Sequence, residues 1–200
     1  MLTINAGDNV EALPSEATFK ELQLILTAWG MMGTAMVGVG PGELSLGRDM
    51  LQDIASGVTV PLVCTNLVPS AGGTEGITPW VTTDWEGRTI LLTSVVVPSL
   101  LPEASDLELT SPEPALRRVR DSVPHDLLLT VIHGGAASAK DLLTNVQGIH
   151  VAVLGQGASW AFRNEKLDSL VVANSFKGTF LTWVDLNLKE GKVVQADSGR

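Results

Sequence analysis

The side chains in this 200-residue chain that combine a reactive type with a setting suited to chemistry fall mainly in loops that follow short apolar runs. Asn5-Ala6-Gly7-Asp8 places an aspartate just after a strand-like opening. A carboxylate released there by a glycine can ligate a metal or cap a turn, and spacing alone favours the cap. Gly38-Val39-Gly40-Pro41-Gly42-Glu43-Leu44 is built for a backbone pressed close to a neighbour, which a phosphate would satisfy. It is not a P-loop, since no Gly-Lys-Ser/Thr follows, and it is not a GxGxxG turn opening a helix. A tight structural turn is the plainer reading. Ile132-His133-Gly134-Gly135 releases an imidazole from a strand into two glycines, where it can face a site uncrowded or serve as a structural residue. Leu154-Gly155-Gln156-Gly157-Ala158-Ser159 is glycine-rich but holds no ionisable group.

Nucleophiles are scarce. No Gly-x-Ser-x-Gly elbow occurs, and the single cysteine, Cys64, sits in an apolar run where a thiol behaves as a small hydrophobe. One cysteine excludes an intramolecular disulfide and a Cys-based zinc cage. His125, after Pro124, is expected in a solvated helix-to-strand turn, and His150 opens a strand as a surface or structural residue. The five tryptophans are scattered, which does not make a stacking platform for bases.

The elements that must position these loops are short. Apolar, branched runs at 62–64, 90–97, 127–132 and 151–154 read as strands covered on both faces. Phe19, Leu22, Leu26 and Trp29 share one helical face, with Ser15 as N-cap and Gly30 as the stop. A second helix is expected over 48–55, and a third from Ser111 with Pro112 in its first turn. A fourth is expected from Ser138, with Asp141 as capping-box partner. Glu86-Gly87 reads as a turn within a β-rich interruption, and 98–114 as a surface loop. A closing pair of strands is expected at 169–173 and 179–188. Strands alternating with helices argue for a layered α/β architecture with a largely parallel sheet, in one domain over residues 1–200.

Composition narrows the function. Hydrophobic residues make up 44% and charged residues 18%, which excludes intrinsic disorder. Thirteen basic against 22 acidic residues leave a net charge of −9, which argues against a nucleic acid polymer as partner. No apolar run approaches the roughly 20 residues of a membrane span, and residues 1–5 lack the basic region and apolar core of a leader.

Taken in order, the loops resemble those of the calcineurin-like metallophosphoesterases, and more closely the 5′-nucleotidase branch. Residues 2–8 look like the strand ending in that family's Gly-Asp motif. Gly40-Pro41-Gly42-Glu43 looks like the segment holding its Gly-Asn-His-Glu motif, and Thr65-Asn66-Leu67 like a branch strand ending in Asn-Leu. Leu128 to Gly134 is similar to the strand with a ligand histidine, residues 148–155 to the strand leading to Gly-His-x-His, and 171–188 to the two closing strands. The resemblance implies an αββα layered sandwich with mixed sheets. It also implies a pair of divalent metals (Mn, Zn, Mg or Fe) activating water on a small phosphorylated molecule. Asp8 would bridge the metals and His133 would ligate one of them. Many relatives are exported.

The departures from the family pattern carry as much as the match. The Asn and His of the central motif fall on Pro41 and Gly42, and the two histidines of the last motif on Gln156 and Ala158. Glu43 matches a family residue that is not a direct ligand. The family's opening Asp-x-His strand is missing, so the sandwich is expected to be incomplete at the N-terminus. A two-metal site needs about three protein ligands per ion, and matched ligand positions remain only at Asp8 and His133. The expectation is a 5′-nucleotidase-like domain with a degenerate metal site, impaired or inactive, with no catalytic residue assigned. The alternatives are a metal-dependent phosphoester hydrolase of weak or altered activity, and a fragment of a longer nucleotidase-like protein.

Overall fold

In the computed structural model, described over residues 1–10, 14–69, 76–103, 105–155, 161–164, 169–173, 183–189 and 192–199, the branched apolar runs form strands. β1 (Ile4–Asn5), α1 (Glu16–Met31), β2 (Met36–Gly38), α2 (Pro41–Leu44), α3 (Arg48–Ser56), β3 (Leu62–Val63) and β4 (Ile77–Thr78) come first along the chain. Their strands make a parallel four-stranded sheet in the order β1-β2-β3-β4. β5 (Val81–Trp85), β6 (Arg88–Val96), α4 (Pro112–Ser122), β7 (Leu127–His133), α5 (Ala136–Asn145), β8 (Val151–Leu154), β9 (Ala161–Asn164) and β10 (Ser169–Ala173) follow. They give a mixed six-stranded sheet, ordered β5-β6-β7-β8-β10-β9, with antiparallel edges around a parallel centre. β11 (Trp183–Lys189) and β12 (Lys192–Gly199) pair antiparallel with each other.

Residue alternation assigns each face. In the six-stranded sheet Leu91, Val95, Leu128, Ile132, Ala152 and Val171 pack against Leu116 and Val119 of α4 and Leu142 and Leu143 of α5. The opposite face offers Ile90, Leu92, Leu127 and Val131 to Met36 and Val63 of the first sheet. The other side of that sheet, with Val37 and Leu62, packs on Leu22 and Leu26 of α1 and Leu51 and Ile54 of α3. Helices, sheet, sheet and helices therefore stack as an αββα sandwich with mixed sheets, as the resemblance implies. Gly38 permits a close sheet approach, because a Cβ there would stand 2.8 Å from Ser94 Oγ and 3.3 Å from Val131 Cβ.

Several boundaries follow the sequence reading. Ser15 caps α1, its Oγ accepting the Thr18 N–H at 3.1 Å. Glu86 and Gly87 both take positive φ, 49° and 75°, in the tight turn from β5 to β6. Others differ. α1 runs through Gly30 to Met31, because the residue that turns the chain is Gly33, at φ 72°. Ser138 lies inside α5, which starts at Ala136 directly after Gly134-Gly135, and no side chain caps it. Residues 98–114 are not a free loop. Pro98–Leu100 form a 3-10 turn, Leu107 is buried, and Leu109 bridges Leu67. The closing strands also differ, since β10 pairs with β8 and β9 while β11 pairs with β12; residues 179–182 lie outside the described residues. No helix among the described residues is long and apolar enough to cross a membrane.

Leu128 is fully buried between the six-stranded sheet and its helices. Leu128→Ala is expected to lower unfolding free energy by about 3 kcal/mol in urea titration, from lost burial plus a cavity. An effect below about 1 kcal/mol would mean that this layer is not packed as described.

Candidate functional site

Loops following β1, β2 and β7, with Gly155 just after β8, meet beyond the carboxyl ends of parallel strands, the usual place for a site in such sheets. Gly7 turns the first of these at φ 82°, where a Cβ would collide with the Gly38 carbonyl. Asp8 follows at φ 56°, a left-handed conformation that a short polar side chain tolerates. The loop is fastened by Glu43, in the first turn of α2 and only 1% exposed. Its Oε2 accepts the N–H of Asp8 at 3.0 Å and of Gly40 at 2.9 Å. Its Oε1 accepts the backbone N–H of Asn9 at 2.8 Å and that residue's Nδ2 at 3.0 Å. One buried carboxylate thus holds two chain segments together, in the charge-assisted bonding that repays burial of an anion.

Held this way, Asp8 turns its carboxylate toward His133. Its Oδ1 accepts the Gly42 N–H at 2.8 Å, and Oδ2 lies 3.4 Å from His133 Nδ1. The Asp8 side chain keeps 23% of its surface exposed, whereas His133, ending β7, is fully buried. Neither ring nitrogen of His133 has a hydrogen-bond partner among the described residues. Glycines make room for the ring. A Cβ on Gly40 would stand 2.7 Å from Cε1, and one on Gly155 would overlap the imidazole. The two residues singled out as metal ligands therefore do come together. Their partners do not, since Pro41 opens α2 with no donor and Gly42 offers only an N–H already given to Asp8.

Asn66 is a site-supporting residue that type and spacing left unassigned. Fully buried after β3, it donates to the carbonyls of Val96 and Thr110, both at 2.8 Å, and accepts the Val96 N–H at 3.0 Å. It thereby ties the first sheet to the end of β6. Only the nearby Asn-Leu likeness signalled it. His150 is structural, accepting the Leu128 N–H through Nδ1 at 3.0 Å. His125 is half-buried rather than solvated, its Nδ1 2.7 Å from the Val123 carbonyl. Burial pushes the Cys64 thiol up to about 12, against hydrogen bonds to the backbone of Asn66 and Leu67.

Compared by sequence, the chain matches no protein-family model and no curated protein. Compared by structure, it superposes on a 5′-nucleotidase precursor from Thermus thermophilus with a TM-score of 0.82 at 15% identity, covering 98% of this chain. A calcineurin-like phosphoesterase, YfkN from Bacillus subtilis, gives 0.77 at 16% identity over 99% of this chain and 75% of its own. The fold is that of the calcineurin-like metallophosphoesterases. Haemophilus influenzae NAD nucleotidase shares it too, with a TM-score of 0.76 at 14% identity and full coverage of this chain. The chain spans 44% of the Thermus thermophilus nucleotidase and 40% of the Haemophilus influenzae one.

Metallophosphoesterases use divalent metals, and the donors among the described residues do not fit a pair of them. Among the described residues no three His, Cys, Asp or Glu side chains converge. Asp8 and His133 offer two donors, and Oδ1 of Asp8 is already hydrogen-bonded. The remaining motif positions, Gln156 and Ala158, lie outside the described residues, and neither carries an imidazole.

Replacing Glu43 with alanine strips the N–H groups of Asp8, Asn9 and Gly40 of their acceptor. The expected loss is about 3 kcal/mol of stability, with faster amide exchange confined first to these three residues. Exchange unchanged at Asp8 and Asn9 would show that the loop has another support. For Cys64, the folded thiol ionises near 12 against 9.0 for a free one, so the unfolded chain ionises first. Its contribution to stability is complete below pH 9 and is lost as pH rises toward 12. The stability difference between the native chain and Cys64→Ala, measured by denaturant titration, should shrink over that window.

Proposed function

We propose that this chain is a metallophosphoesterase-fold domain that has lost the paired-metal hydrolytic centre and acts by binding. The reading rests on one observation: the Asp8 carboxylate takes the Gly42 N–H at the position where the family pattern has a histidine side chain. Metal charge there would be balanced by ligands on four loops, but Pro41 and Gly42 supply none. Glycine at position 42 also has no imidazole with which to move a proton, where the family pattern has a histidine. A fold does not bring its chemistry with it when those groups are gone.

The second reading is a hydrolase of weak or altered activity on a small phosphorylated molecule. It is favoured by the buried imidazole of His133, whose nitrogens lack partners among the described residues beside the Asp8 carboxylate. That pair would offer one divalent ion (Mn, Zn, Mg or Fe) an oxygen and a nitrogen.

Mn²⁺ titration calorimetry and phosphate release from an aryl phosphate or a 5′-nucleotide separate the two readings. The expected result is no binding that Asp8→Ala removes, and no turnover above a protein-free control. Metal-dependent turnover lost in both Asp8→Ala and His133→Ala would overturn the proposal in favour of the second reading.

A further inference from the structure

The six-stranded sheet ends at β5, which pairs with β6 alone among the described strands. β5 lies inside the continuously described stretch 76–103, away from both ends of the chain. Thr82, Asp84 and Trp85 are exposed, while Val81 and Thr83 are partly buried. The two-residue turn at Glu86-Gly87, with both φ positive, makes Trp85 and Arg88 a hydrogen-bonded pair. Antiparallel ladders alternate, so Thr83 with Ile90 and Val81 with Leu92 are bonded pairs as well. The N–H and C=O groups of Thr82 and Asp84 therefore point away from β6, to the outer side of the strand. Among the described residues no hydrogen bond reaches these groups.

Outward main-chain groups on an edge are matched by another strand, and the order of residues in β5 says which strand. We infer that β5 pairs antiparallel with β5 of a second copy of this chain, across a two-fold axis at Thr83. Three two-fold registers bring the outward groups face to face. Centring on Asp84 sets two carboxylates directly opposite each other, which is unfavourable. Centring on Thr82 bonds that residue to its own copy and then needs Trp80, whose carbonyl already accepts the Thr78 hydroxyl at 2.8 Å. Centring on Thr83 sets Thr82 opposite Asp84 twice, with both main-chain bonds made in each pair and no like charges facing. The side chains agree with this register. Trp85 falls opposite Val81 and Thr83 opposite Thr83, an aromatic with a β-branched residue and a threonine pair, both favourable across strands. The Thr82 hydroxyl can donate to the Asp84 carboxylate of the other copy. Two copies of net charge −9 repel, and one short ladder buries little surface, so the association is weak and concentration-dependent. It joins two six-stranded sheets into one and is independent of whether Asp8 and His133 hold an ion.

Sedimentation of the full chain over roughly 10 µM to 1 mM should show the mass rising from monomer toward dimer. At the higher concentration, hydrogen exchange should slow at the amides of Thr82 and Asp84. It should stay unchanged at Val81, Thr83 and Trp85, whose amides already bond to β6. Charge at position 82 tests the register, because that residue faces Asp84 of the other copy. Thr82→Lys should tighten dimerisation by about fivefold, and Thr82→Asp should weaken it by about as much. Position 82 is an exposed edge site, and circular dichroism checks that both variants fold; if either does not, the exchange map of the native chain decides alone. A monomer at every concentration, a dimer indifferent to both charge changes, or slowed exchange confined to other residues would overturn the inference.

Discussion

The six-stranded sheet is apolar on both faces, and the rest of the architecture answers to that fact. From Ile90 to Val96 every residue of β6 is buried, and β7 is nearly as closed. Burying one such side chain is worth about 1.5–3 kcal/mol, so neither face can be left to water. Helices α4 and α5 cover one side; the second sheet, with α1 and α3 behind it, covers the other. Stacking the sheets brings the ends of β1 and β2 over the end of β7. The meeting of Asp8 and His133, 125 residues apart in sequence (133 minus 8), is a by-product of that burial.

How much of this was legible in the sequence depends on the kind of signal. Local chemistry was readable: Ser15 as a cap, Pro112 in a first turn, the Glu86-Gly87 turn, and the strand at 151–154 all stand as read. What depends on distant partners was not. Nothing local marks Leu107 as buried or Leu109 as the bridge partner of Leu67, so residues 98–114 read as a loop. Ser138 and Asp141 have capping-box spacing, but Gly134-Gly135 lets the helix begin earlier, and an early start leaves Ser138 nothing to cap.

The candidate site divides the same way. Asp8 and His133 were picked out by type and by the family likeness, and the fold brings them together. The role of Glu43 was not visible, because its acceptors serve backbone groups on a loop more than thirty residues earlier in the chain. The pattern gives a division of labour within one short helix: Glu43 fixes the loops, while Gly42 beside it meets Asp8 with main chain alone. Two adjacent residues thus serve the same loop by different means, one through a buried carboxylate and the other through its main chain.

The packing at Gly42 decides what a larger residue could do there. A Cβ there would run into the Val10 carbonyl and stand 3.2 Å from Asp8 Oδ1. A single Gly42→His change would therefore meet occupied space before its imidazole could reach a metal. Asp8 would also have to give up its present hydrogen bond, and Val10 would have to move. The loop at Val10 occupies the space that a side chain at position 42 would need. A side chain at position 42 is thus opposed by main-chain atoms, and accommodating one takes a shift of the backbone at Val10.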